Sequence, residues 1–209
     1  MVRIFLVRHG EVAWNRANAY VGALDVPLND TGLAQARAVA DFLSVEKIDA
    51  VYSSVLSRAR VTAQHIAERH GLKVQPNPAL NEVNYGEWDG VPEKEVEARY
   101  PELVVRWRKN PVDTRIPCGE TFGELMNRAY PEFCRIADSL ESGNIVVVAH
   151  KSTNRVILCR ALGIDVNEFR LIAQDNVCVN VFERRTDGFT VQSVNLQPPN
   201  ASQAVLHAR

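Results

Sequence analysis

The sequence predicts an α/β domain of three layers, α/β/α, with a mostly parallel central sheet, helices on both faces and a cap-like segment inserted over the carboxyl ends of the strands. Three observations predict it. Residues 2–7 and 145–149 are short, almost wholly apolar runs rich in β-branched side chains, the pattern of strands buried on both faces. Between and after them apolar residues recur at three- and four-residue spacing, and such alternation of strand and helix signals belongs to α/β folds. Residues 84–120 follow neither period; they carry Pro92, Pro101, Pro111, Pro117 and three glycines among short charged helices, as an insertion would.

In chain order, the first strand is residues 2–7. Leu33, Ala36, Ala40 and Leu43 form a helical stripe behind the turn at 29–32, whose Asn, Asp and Thr side chains can cap it. A weaker strand at 49–52 precedes a helix over 57–70, where Gly71 suits the stop. Phe122, Leu125, Met126, Ala129, Phe133 and Ile136 lie on one face of a helix over 121–141, which Pro131 should kink. A further helix at 156–162 ends at Gly163, and residues 177–183 and 189–195 pair as an antiparallel hairpin around Asp187-Gly188. The tail from 197, with two prolines and small polar residues, is expected to be mobile. No linker or repeat divides the chain, so residues 1–209 are read as one domain.

The charge balance, 24 Lys plus Arg against 25 Asp plus Glu, lacks the basic excess of a nucleic-acid-binding domain. The four cysteines (118, 134, 159 and 178) form no Cys-x-x-Cys pair, and the first apolar run is too short for a signal segment or membrane span. Reduced thiols and a cytoplasmic location are therefore expected. The edge of such a sheet also offers a surface for a homodimer.

Ligands of open α/β sheets bind beyond the carboxyl ends of the strands. Arg8-His9-Gly10 follows the first strand directly, His150-Lys151 follows the strand at 145–149, and Arg58 lies just past the strand at 49–52. A single histidine after a strand is ordinarily a satisfied loop residue, but two of them with two arginines at one rim suit a phosphate, which guanidinium groups and helix N-termini favour. His65 and His70, on a surface helix, and His207, in the tail, are read as structural or inert. No His-x-His or His-Glu-x-x-His spacing supports a metal site.

Val7-Arg8-His9-Gly10-Glu11 resembles the signature of the histidine phosphatase superfamily, which includes cofactor-dependent phosphoglycerate mutases and many small phosphatases. The likeness continues in order through Trp14-Asn15, residues 22–28, Ser53 to Ala59, Leu80-Asn81-Glu82, residues 86–90, Gly119-Glu120-Thr121-Phe122 and Val148-Ala149-His150. The segments at 86–90 and 117–121 look most like those of the broad-specificity and α-ribazole phosphatases. The resemblance implies that His9 attacks phosphorus to give a phosphohistidine, and that Arg8, Arg58 and His150 hold the non-bridging oxygens, with Asn15 at the pocket edge. It implies Glu82 as proton donor to the leaving oxygen, ahead of Glu11, Glu87 and Glu120, which are read as loop anchors. It implies no metal or organic cofactor and, as partner, a small phosphorylated metabolite.

Three positions depart from the family pattern. Val12 stands where a hydroxyl residue is common, Lys151 follows the second histidine where Gly is common, and Cys118, expected as a semi-buried filler, replaces a frequent Gly. Lys151 either adds charge to the pocket, which would favour substrates with a second anionic group, or extends into solvent. Specificity is expected in 84–120, where Tyr85, Arg106, Trp107 and Arg108 could meet the non-phosphate part of the substrate, although a surface helix with one buried Trp is the favoured reading of 106–108. The compact segment between Glu82 and His150 favours hydrolysis over a mutase reaction. A catalytically silent binding module is the remaining alternative.

Overall fold

The computed structural model describes residues 1–16 and 18–199, the Arg16 side chain excepted. β1 (Val2–Arg8), β2 (Ala50–Ser53), β3 (Val74–Pro76), β4 (Gly143–Ala149), β5 (Val179–Arg185) and β6 (Gly188–Leu196) form one sheet in the order β3-β2-β4-β1-β5-β6. The first four of that order run parallel, and β5 and β6 add an antiparallel hairpin beside β1. The sheet is mostly parallel, as expected, with the antiparallel hairpin at one side and the two histidine-bearing strands adjacent in its parallel part.

The helices in chain order are α1 (Ala13–Arg16), α2 (Asp30–Leu43), α3 (Ser57–Arg69), α4 (Glu93–Arg99), α5 (Pro101–Lys109), α6 (Phe122–Ala137) and α7 (Lys151–Leu162). Side chains alternate across β1: Phe5 and Val7 join a core with Val39, Leu43, Ala63 and Ile66 of α2 and α3, whereas Ile4 and Leu6 join the opposite core with Phe122, Leu125, Phe133 and Ile157 of α6 and α7. These are the two outer layers.

Helix starts follow their caps. Asn29 Oδ1 accepts from Gly32 N–H at the head of α2, and Thr121 and Glu124 close a capping box on α6. α6 stays continuous through Pro131 and ends at Ala137 rather than 141, where Ser139 Oγ donates to the Ile136 carbonyl and Arg184 takes the Asp138 carboxylate. α7 begins five residues earlier than its apolar stripe, because its first turn is built from buried polar residues, Ser152, Thr153 and Asn154. β5 begins at Val179 rather than 177: Val177 has φ +53° and the Cys178 N–H turns to the Asp175 carbonyl.

The insertion folds as short helices, a 3-10 turn at Gly86–Trp88 followed by α4 and α5, and it packs Trp88 and Trp107 against Tyr20 and Tyr85. Gly86 is required there: its φ is +54°, and a Cβ would stand 2.1 Å from the Pro117 carbonyl oxygen. Cys118 is exposed rather than semi-buried, in a left-handed conformation at φ +59°. Of the tail, residues 197–199 are described, with Pro198 buried; residues 200–209, His207 among them, lie outside the described residues.

Candidate active site

Parallel pairing of β1 with β4 sets Arg8 opposite Ala149, so His9 and His150 leave the carboxyl ends of adjacent strands side by side. The His9 N–H donates to the Ala149 carbonyl at 3.1 Å, and the two rings lie 5.1 Å apart. His9 Nδ1 lies 2.6 Å from the Gly10 carbonyl oxygen. A carbonyl can only accept, so the proton sits on Nδ1 and the lone pair on Nε2. Burial, and after it Arg58 and Arg8, push the His9 pKa well below its ordinary value and keep the ring neutral.

His150 is fully buried at the head of α7. Its Nδ1 accepts from Arg58 Nε at 3.3 Å, which leaves the proton on Nε2. Among the described residues that Nε2–H has no partner, and neither has the buried Nε of Arg8, whose Nη1 donates to the Gln174 carbonyl at 2.8 Å. Each orphaned buried donor costs about 1–3 kcal/mol until an acceptor arrives. Burial first, then Arg58 and His9, also hold the His150 pKa well below its usual range. Arg58 is fully buried, with Nη1 donating to the Leu24 carbonyl at 2.8 Å and Nη2 to that of Gly22 at 2.7 Å.

Glu82 sits where α7 begins. One carboxylate oxygen accepts from Ser152 N–H at 3.0 Å, the other from Thr153 N–H at 3.1 Å, Thr153 Oγ1 at 3.2 Å and its neighbour Val83 N–H at 3.0 Å. Arg128 fixes the loop behind it by donating to the carbonyls of Ala79, Asn81 and Glu82. Glu120 in turn accepts from Arg128 and from Asn84 N–H, while Glu11 accepts from Asn29 and Glu87 from Tyr100. Those three carboxylates are the anchors the sequence suggests; Glu82 reaches the cavity.

The cavity above His9 measures about 200 Å³, and Arg8, His9, Asn15, Glu82, Tyr85 and Lys151 all line it. Arg58 and His150 lie one layer deeper. Asn15 Oδ1 accepts from Val12 N–H, and Val12 itself is buried in a short bridge to Leu28. The Tyr85 hydroxyl is within 3.0 Å of Ser152 Oγ, and burial pushes its pKa up. Lys151 belongs to the cavity wall, where partial burial and then Arg8 and Arg155 lower its pKa. From the insertion Trp107 and Arg108 reach the cavity, but Arg106 is exposed outside it. The wall also holds Tyr20, Glu93, Arg155, Phe169 and Arg170, none of which the sequence singled out. Arg155 follows Lys151 by one helical turn on α7, a spacing that could have revealed it; Arg170 lies in the 3-10 stretch Val166–Leu171, where no periodic signal exists.

A neutral imidazole with its lone pair on Nε2, buried donors that lack a partner among the described residues and a carboxyl group in the cavity wall suit phosphate-ester chemistry. The chain belongs to the histidine phosphatase superfamily (branch 1), whose pattern matches residues 4–197. It is 35% identical over 188 residues to phosphoserine phosphatase 1 of Hydrogenobacter thermophilus, covering 88% of this chain and 89% of that protein. It is 34% identical over 195 residues to 2,3-bisphosphoglycerate-dependent phosphoglycerate mutase 2 of Gloeobacter violaceus, covering 90% and 88%. Among solved structures, the α-ribazole phosphatase of Shigella flexneri superposes with a TM-score of 0.84 at 25% identity, over 92% of this chain and 96% of that one. No helix among the described residues is long and apolar enough to cross a membrane.

Proposed function

We propose that the chain is a phosphomonoester hydrolase that works through a phosphohistidine on His9 and needs no metal ion. The observation that carries this reading is the pair of unpartnered buried donors, Arg8 Nε and His150 Nε2–H, beside the lone pair of His9 Nε2. His9 Nε2 attacks phosphorus in line, the Nε2–P bond forms and the P–O ester bond breaks. Arg8 and His150 take up the charge on the non-bridging oxygens, with Arg58 behind them, an effect worth about 3–4 kcal/mol per donor in comparable sites. Glu82 gives its proton to the departing alkoxide. In the second half a water molecule gives a proton to Glu82 and its oxygen attacks phosphorus, releasing inorganic phosphate and restoring His9.

The phosphatases among the relatives support hydrolysis, whereas the mutase among them supports return of the phosphoryl group to the substrate. The test is release of phosphate from an aryl phosphate after chelator treatment, by wild type and His9→Ala. Activity that survives chelation and vanishes in the variant is expected; equal rates in both would sink the mechanism. With 3-phosphoglycerate and catalytic bisphosphoglycerate, isomerisation faster than phosphate release would establish the mutase instead. Tight protein binding without turnover would indicate a silent module.

A further inference from the structure

Five cationic side chains line the cavity among the described residues, those of Arg8, Arg108, Lys151, Arg155 and Arg170, against the carboxylates of Glu82 and Glu93. Arg8 faces the phosphate position, and Arg108 is already paired with Glu97. Among the described residues no carboxylate pairs with Lys151, Arg155 or Arg170, so positive charge remains beyond what one phosphate uses. Holding like charges together in a partly desolvated wall is unfavourable until an anion joins them.

Arg170 is the member built to receive one. Its guanidinium lies 4.5 Å from the ring centres of both Trp107 and Phe169, and Nη1 donates to the Arg108 carbonyl at 3.2 Å. These contacts fix the plane of the fork, and among the described residues Nε and Nη2 make no hydrogen bond. Arg155 lies against the same Phe169 ring at 5.6 Å, with its Nε committed to the Ile172 carbonyl at 2.7 Å. A planar guanidinium held by aromatic faces matches a carboxylate with two parallel hydrogen bonds, which a lysine could not do. We infer that Arg170, with Arg155 beside it, binds a carboxylate carried by the same small molecule as the phosphate ester. A cavity of about 200 Å³ admits such a molecule.

The kinetic part of this inference rests on the hydrolase reading; the binding part does not. Phosphoglycolate and O-phosphoserine are compared with ethyl phosphate and phosphoethanolamine, which lack the carboxylate, and with an aryl phosphate as reference. The carboxylated esters are expected to show at least tenfold higher kcat/KM. Arg170→Met, which keeps an apolar stem against Trp107 and Phe169, should lower the ratio of carboxylated to aryl ester kcat/KM at least tenfold, chiefly through KM. No preference in the wild type, or an equal fall on every substrate, overturns the inference. If no substrate turns over, calorimetry with His9→Ala decides: phosphoglycolate should bind at least tenfold tighter than ethyl phosphate, and adding Arg170→Met should remove the difference. Equal binding of the two esters overturns the carboxylate site, whereas unequal binding without turnover overturns only the hydrolase reading.

Discussion

Arg58 Nε donates to His150 Nδ1 at 3.3 Å, so a fully buried guanidinium determines which nitrogen of the histidine carries the proton. The other two nitrogens of the same fork grip the carbonyls of Gly22 and Leu24, which makes Arg58 a three-point brace. Arg58→Lys should lower kcat/KM on aryl phosphate by about 10²–10³, since a point charge cannot serve three acceptors in one plane. In Arg58→Met, which removes the positive charge as well, the pKa values of His9 and His150 should rise, so the acid limb of the rate profile should move to higher pH. Rates of Arg58→Lys and a pH–rate profile of Arg58→Met check the two effects.

Stability should fall on acidification below about pH 6.5, the ordinary histidine value. Folding lowers the pKa of both His9 and His150, so in that range the unfolded chain binds more protons than the folded one. The contribution is fully present above pH 6.5 and is lost as pH drops toward the folded-state values, at about 1.4 kcal/mol per pH unit for each histidine. Urea unfolding at pH 7 and pH 5 measures it. The double variant His9→Asn/His150→Asn should show a markedly smaller difference between the two pH values than the wild type.

Leaving-group dependence should isolate Glu82. An alkoxide needs a proton as it departs and p-nitrophenolate does not, so Glu82→Gln should slow alkyl phosphates by about 10²–10⁴ and p-nitrophenyl phosphate much less in the first half-reaction. Rapid-quench measurement of the phosphoenzyme burst reads that step directly. An equal effect on both leaving groups would assign Glu82 a purely structural role at the head of α7.

Cys118→Gly should stabilise the protein by about 0.5–1 kcal/mol. The left-handed backbone at φ +59° costs an L-residue about 1–2 kcal/mol, partly offset by the greater freedom glycine has when unfolded. The side chain is exposed, so little packing is lost. Chemical denaturation of the two proteins at one pH is sufficient.

The strands that carry the histidines were legible because full burial on both faces writes itself as an unbroken apolar run, as at 2–7 and 145–149. Their adjacency was not written; it comes from the register of β1 on β4. β3 escaped notice because three residues, one of them proline, are too few to show alternation. The head of α7 was hidden because it spends its first turn on Glu82 rather than on the core: Ser152 and Thr153 hold the carboxylate where an apolar residue would have announced the helix. Arg170 was invisible for a different reason, since its role depends on Trp107 arriving from the insertion. Arg106 and Arg108 looked equivalent in sequence, and only the direction of α5 separates the exposed residue from the one at the cavity.

β1 precedes the other strands in the sequence, yet both of its neighbours, β4 and β5, come from the far half of the sequence. A nascent chain therefore carries His9 just behind an unpaired segment until residues 143–185 have emerged. The two histidines cannot meet during most of synthesis, and until then an apolar, β-branched strand waits for both of its partners, so closure of the sheet around β1 is a late, long-range event.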